Sequence, residues 1–111
     1  MTYKKFEVVV VPFPFADSAA SKRRPALVLS GEAAFNAPAG HSVMAMITSA
    51  GHAPWPLDVA LTDLRAAGLP SPSVARMKLF TLDHRFVLRR AGKLAAKDRK
   101  AVGDALEKLL A

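Results

Sequence analysis

The chain has 111 residues, 51% of them hydrophobic, and its 16 Lys and Arg against 9 Asp and Glu give a formal net charge of +7. That length builds one modest core, so residues 1–111 are expected to form a single globular domain. The absence of cysteine excludes disulfides, thiolate metal sites and a cysteine nucleophile, and no apolar run reaches the roughly 18 residues of a membrane span.

The residues from Met1 to Glu7 lack the basic-then-apolar pattern of a secretory signal. The expected location is therefore the cytoplasm, with no membrane contact. The cationic surplus predicts a polyanionic partner, either nucleic acid or an acidic protein.

In chain order, Phe6 to Val11 reads as a buried strand, because its β-branched run is continuous rather than alternating. Pro12 and Pro14 are expected to end it. Ala16 to Arg23 reads as a small basic loop. Pro25 to Ser30 is the second strand, with Arg24 held extended because the proline ring disfavours helix in the residue before it. Gly31 to Asn36 suits one helical turn capped by Ser30, and Asn36 to His41 a Pro/Gly turn. Ser42 to Ser49 is the third strand.

Ala50 to Pro56 is a Gly- and Pro-interrupted loop carrying His52 and Trp55. Leu57 to Leu61 alternates like an amphipathic strand. Thr62 to Ala67 suits a short helix closed by Gly68. Ser73 to Met77 and Phe86 to Arg89 read as two more strands. Val102, Ala105, Leu106, Leu109 and Leu110 repeat with helical spacing and predict a C-terminal amphipathic helix. Asp98 near its start suits the positive end of the helix dipole. Mostly β order with a terminal helix implies a small antiparallel α+β domain of barrel-like form.

The stretch Lys22-Arg23-Arg24-Pro25-Ala26-Leu27-Val28-Leu29-Ser30 sets cations at the mouth of an apolar strand. An extended arginine there offers a planar fork of donors suited to phosphate. Together with Ile47-Thr48-Ser49, Gly68-Leu69-Pro70, Ser73-Val74-Ala75-Arg76, Thr81-Leu82-Asp83 and Gly92-Lys93-Leu94, it resembles the PemK/MazF toxins of type II toxin–antitoxin systems over nearly the whole chain. The resemblance implies an SH3-like β-barrel with a C-terminal helix and a homodimer neutralised by an acidic antitoxin. It also implies a metal-independent endoribonuclease, without cofactor, that cuts single-stranded RNA to 2′,3′-cyclic phosphate and 5′-hydroxyl ends.

Arg24, Thr48 and Arg76 match the family's catalytic positions. Arg24 is expected to brace the phosphorane oxygens as charge develops. Thr48 is expected to fix a phosphate oxygen through its hydroxyl, and Arg76 to clamp phosphate or act as an acid. Lys22, Arg23, Ser49, His52, Trp55 and Lys78 are the candidate RNA contacts. Arg23 should point away from Arg24, since side chains alternate along a strand.

Three departures from the family stand out, the first being that Asp17 to Arg23 lacks the loop histidine some relatives carry before the Arg-Pro step. Lys78 lies where some relatives carry an aspartate proposed as general base, so the base is open. Of the three histidines His41, His52 and His84, which ordinarily titrate near neutrality, His52 is the best candidate because its loop follows Thr48 closely. Phe6 replaces the glycine that often precedes the acid at the first strand, here Glu7. Trp55, Phe13, Phe15 and Phe35 are candidate stacking rings. No spacing of His with Asp or Glu supports a metal site. Two other readings remain open: an inactive module of the same fold that binds nucleic acid or antitoxin, and a toxin directed at DNA gyrase.

Overall fold

The protein is described by a computed structural model covering residues 2–13 and 22–111. Phe15, Asp17 and most of the expected loop at 16–23 lie outside the described residues. Six strands form one curled sheet: β1 (Glu7–Phe13), β2 (Lys22–Val28), β3 (His41–Ser49), β4 (Val59–Ala60), β5 (Ser73–Asp83) and β6 (Arg89–Lys93). Their order is β4-β5-β3-β2-β1-β6, and each neighbouring pair is antiparallel. The result is a half-barrel flanked by α1 (Ala37–Ala39), α2 (Leu64–Ala67) and α3 (Ala96–Leu110).

Alternation along the strands feeds two cores. Val8, Leu27, Leu29, Ala45, Ile47, Ala75 and Met77 face one side of the sheet, where Leu94 and the α3 residues Val102 and Ala105 cover them. Val9, Val11, Ala26, Val28, Met44 and Leu82 face the other side with Tyr3. Because both faces are buried, β1 needs a continuous apolar run rather than an alternating one. Full burial of each such aliphatic side chain stabilises the fold by roughly 1.5–3 kcal/mol.

Pro12 does not end β1, and Pro14 lies outside the described residues. Pro12 sits opposite Arg23 and Phe13 opposite Lys22, which also draws Lys22 and Arg23 out of the expected loop and into β2. The reason is local edge character: β6 pairs with β1 only from Glu7 to Val10, so beyond that point a missing N–H leaves no gap on the open side. Pro25 is similarly placed, opposite Val10 on β1 while β3 pairs only with Ala26 to Val28.

Several other boundaries move. Glu32–Asn36 forms a π-helical turn running into α1, and Gly31 rather than Ser30 occupies its N-cap, with no side-chain cap. The Ser30 hydroxyl instead donates to Asn36 Oδ1 and accepts from Val43 N at 2.8 Å, tying the turn to β3. The expected strand at 57–61 shrinks to two residues, and β5 runs to Asp83, well past Met77. Residues 84–86 form a 3₁₀ turn, and the sixth strand follows it at Arg89–Lys93 rather than at 86–89.

The stripe on α3 is only partly covered. Val102 and Ala105 are buried and Leu106 packs beside them, whereas Leu109 and Leu110 are exposed. Asp98 is 1% exposed, and it crosses to the loop before α2. Its carboxylate accepts from Thr62 N, Thr62 Oγ1 and Asp63 N at 2.8–3.0 Å. Its part is a cross-chain cap more than a partner of its own helix dipole. Burial pushes its pKa up, but the Asp63 and Thr62 backbone donors, the Thr62 hydroxyl and Lys97 together bring it below the ordinary aspartate value.

Gly68 ends α2 at φ 71°, and a Cβ there would lie 2.0 Å from Ala91 O. Only glycine allows that left-handed turn and that approach of backbone to backbone.

Candidate nucleic-acid interface

A groove opens where the sheet splays. Pairing between β2 and β3 stops at Ala26 opposite Met46. The next positions outward on that same face are Arg24 and Thr48, which face each other across the gap. Between Met46 and Ala45, β5 carries two extra residues, Met77 and Lys78, because Arg76 lies opposite Met46 and Leu79 opposite Ala45. The bulge bends β5 and keeps Arg76, Lys78 and Phe80 on the groove face. Phe13, Arg24, Met46, Thr48, His52, Arg76, Lys78, Leu79 and Phe80 line a groove of about 400 Å³. Its floor is apolar and its rim cationic.

Two of the expected groups touch. Thr48 Oγ1 lies 2.6 Å from His52 Nδ1, a distance within the usual range for a strong hydrogen bond. The His52 N–H also donates to Ser49 O at 3.3 Å, closing the turn after β3. With its proton on Nδ1 the ring donates to the threonine hydroxyl and keeps the Nε2 lone pair for a proton.

Arg76 is held from two sides. Its Nε donates to Asp58 Oδ1 at 3.1 Å, and its Nη2 donates to Asp58 Oδ2 at 2.9 Å and to Ala53 O at 2.7 Å. Asp58 also accepts from Trp55 N at 3.0 Å. Leu57, at φ 65°, makes the left-handed turn that aims Asp58 back at the arginine. The Arg76 bond holds Asp58 below the ordinary carboxylate range, and Asp58 raises Arg76 above its own. Lys78 Nζ sits 4.4 Å from the centroid of the Trp55 ring, a cation–π contact that leaves the indole 43% exposed. Arg76, Asp58 and Lys78 together moor the loop that carries His52 and Trp55.

The remaining expected contacts spread around this centre. Lys22 and Arg23 are exposed at the open end of β2, with Arg23 on the opposite face from Arg24. Ser49 is exposed at the end of β3. Phe13 reaches the groove wall, and Phe35 lies outside the groove lining. His84 bonds Ser42 Oγ at 2.7 Å and packs edge-on against Tyr3, while His41 lies beside Ala39 O and Asp83. Neither joins the groove. Asp58 is the participant that residue-level reading passed over. Its only sequence signal is a lone acid in an apolar alternation directly after a Pro-rich loop. Among the described residues no group of three His, Cys, Asp or Glu side chains is placed to hold a metal ion.

A curled antiparallel half-barrel sheet with a C-terminal helix and a basic groove beside β2 and β3 defines a small α+β fold. Residues 4–110 match the family model of the PemK-like, MazF-like toxin of type II toxin–antitoxin systems, and the chain belongs to that family. Among solved structures it is similar to a MazE–MazF complex (Form III) from Deinococcus radiodurans. The two share 27% identity at a TM-score of 0.76, over 99% of this chain and 97% of that one. MazF (Form I) from the same organism shares 28% identity at a TM-score of 0.73, over 99% and 97%. An endoribonuclease in complex with its cognate antitoxin from a mycobacterial species shares the fold at 17% identity and a TM-score of 0.72, over 97% and 92%. No curated protein matches the sequence at a significant level. No helix among the described residues is long and apolar enough to cross a membrane.

Proposed function

We propose that the protein is an endoribonuclease toxin that cuts single-stranded RNA by attack of a ribose 2′-hydroxyl on the adjacent phosphate, without a metal. The observation that carries this reading is the Thr48–His52 hydrogen bond of 2.6 Å inside a groove that Arg24 also lines. His52 Nε2 takes the 2′ proton, with Thr48 holding the ring in place. Arg24 donates to the non-bridging oxygens as negative charge builds on the phosphorane. The 2′ oxygen bonds to phosphorus, the bond to the 5′ oxygen breaks, and that oxygen leaves with a proton as a 5′-hydroxyl. The other product is a 2′,3′-cyclic phosphate.

Arg76 keeps the place in the reaction expected from the family, supplying Nη1 toward phosphate while Nε and Nη2 hold Asp58 and Ala53. Trp55 offers a stacking ring beside Lys78, and Lys22, Arg23 and Ser49 extend the RNA track along the rim. A MazE–MazF complex among its structural neighbours supports an antitoxin partner, and the cationic groove suits an acidic antitoxin segment that competes with RNA there. A homodimer in the cytoplasm completes the reading.

The test is incubation of purified protein with a long single-stranded RNA in the presence of a chelator, followed by mass spectrometry of the ends. Cyclic phosphate and 5′-hydroxyl ends are expected. Ends bearing 3′-hydroxyl, or activity abolished by the chelator, would sink the mechanism. An inert wild type that still binds RNA in the groove would favour the binding-module reading, for which Lys78 in place of an aspartate is the motivating observation.

A further inference from the structure

At the opposite end of β1 from the groove lies a second, larger recess of about 520 Å³. Lys4, Lys5, Arg90, Lys93 and Arg99 line it, with Glu7 as the one carboxylate. These cations come from three separate parts of the chain: the N-terminal segment, β6 and the first turn of α3. Glu7 offsets one of them, Arg90, whose Nε donates to it at 2.9 Å, and it also accepts from Lys4 N. Among the described residues, Lys4, Lys5 and Lys93 have no ion pair.

A second observation marks the recess. Phe6 lies on its wall at φ 72°, in the left-handed region that costs a side chain roughly 1–2 kcal/mol. The conformation is imposed from both sides: Phe6 N donates to Val28 O at 2.7 Å, and Phe6 O accepts from Leu94 N at 3.0 Å. The Phe6 ring packs on the core and lies 5.1 Å from Lys5 Nζ. The strained turn thus directs the Lys4–Lys5 pair into the recess beside Lys93. Backbone strain held in place by its surroundings concentrates at functional sites.

We infer that this recess is a second binding site for the phosphodiester backbone of single-stranded RNA, engaging the strand beyond the part held in the groove. The inference rests on the RNA reading of the groove. Five cations with one already-paired carboxylate match a polyanion rather than a neutral ligand. The two sites are joined by β1, whose seven residues from Glu7 to Phe13 span about 20 Å at strand rise. A longer RNA can therefore occupy both, and a very short one cannot.

Binding of 2′-O-methyl RNA, which lacks the attacking hydroxyl, tests this by fluorescence anisotropy over a salt series. Strands of roughly 4 and 16 nucleotides bracket the usual size of single-strand sites. For the wild type, log affinity should fall more steeply with log salt for the longer strand. Replacing Lys4, Lys5 and Lys93 together with Gln should reduce the longer strand's slope by about 2, since each phosphate contact on a single strand contributes roughly 0.7. An unchanged slope would overturn the site. Loss confined to duplex DNA or to an acidic peptide, with RNA unaffected, would overturn the RNA assignment. Arg24→Ala separates the two readings. If it leaves cleavage of unmodified RNA unchanged while the triple substitution still lowers the longer strand's slope, the groove reading fails and the recess stands.

Discussion

The two faces of the sheet are finished differently. Under α3, Val8, Leu27, Ile47, Ala75 and Leu94 are closed off by Val102 and Ala105. On the opposite face Val9, Val11, Ala26, Val28 and Met44 are equally buried, but the next positions outward are Phe13, Arg24, Thr48 and Arg76. One alternation therefore builds both a core and a site. The groove floor is an extension of a rigid core, which fixes its side chains better than loops alone would. The groove sits where β2 and β3 stop pairing, since backbone left without a strand partner makes room for a ligand.

The largest effects should fall on the open end of that face and leave the closed face intact. His52→Ala is expected to lower the cleavage rate by roughly 10²–10⁴-fold, the range for loss of a general base. Arg24→Ala should lower the rate by roughly 10²–10³-fold and RNA affinity by much less, because its donors matter most where charge develops. Equal losses of rate and affinity would recast Arg24 as a binding residue. Thermal unfolding of both variants should match the wild type.

Loosening the loop should act next. Asp58→Asn weakens the hold on Arg76 and Trp55 N, and a rate loss of about tenfold is expected from misplacement of His52. Hydrogen exchange across residues 50–58 should rise with it. If exchange rises and the rate does not fall, the loop does not place the base.

On the closed side, the decisive carboxylate is Asp98. Asp98→Ala leaves the donors of Thr62 and Asp63 without their acceptor and should destabilise the fold by roughly 2–3 kcal/mol in denaturant unfolding, with wild-type residues still lining the groove. The Asp98 pKa is depressed on folding. Its contribution is therefore present above the unfolded value, about 3.9, and is lost as pH falls through the lower folded value. Asp98→Asn should accordingly flatten the loss of stability in acid.

The smallest effect is at Phe6. Both Phe6→Gly and Phe6→Ala remove the ring, but only glycine relieves the left-handed backbone, so the glycine variant should be the more stable of the two by about 1 kcal/mol. Equal stabilities would show that the turn relaxes without cost.

Much of the fold was legible in the residues. The β-branched run of β1, the helical spacing of Val102 and Ala105, and Gly68 after a short helix each carry a local signal strong enough to place an element. The family positions Arg24, Thr48 and Arg76 were legible as an ordered set, and His52 as a loop residue close behind Thr48. The ends of β1, β4 and β5 were not, because a strand's length depends on which partner lies beside it. Pro12 reads as a stop only if both sides of β1 are paired. The stripe on α3 marked a helix correctly but not how far the sheet covers it.

Local chemistry thus determined which segments are extended or helical and which residues are candidates to meet phosphate. Long-range geometry decided the rest. Asp58 reaches Arg76 across 18 residues and Asp98 reaches Thr62 across 36, and no spacing rule connects such partners. Only the folded sheet sets where β2 parts from β3, and hence where Arg24 and Thr48 face an open groove. The physical reason is that register and pairing length are set between strands distant in sequence, and belong to the whole sheet rather than to any one strand.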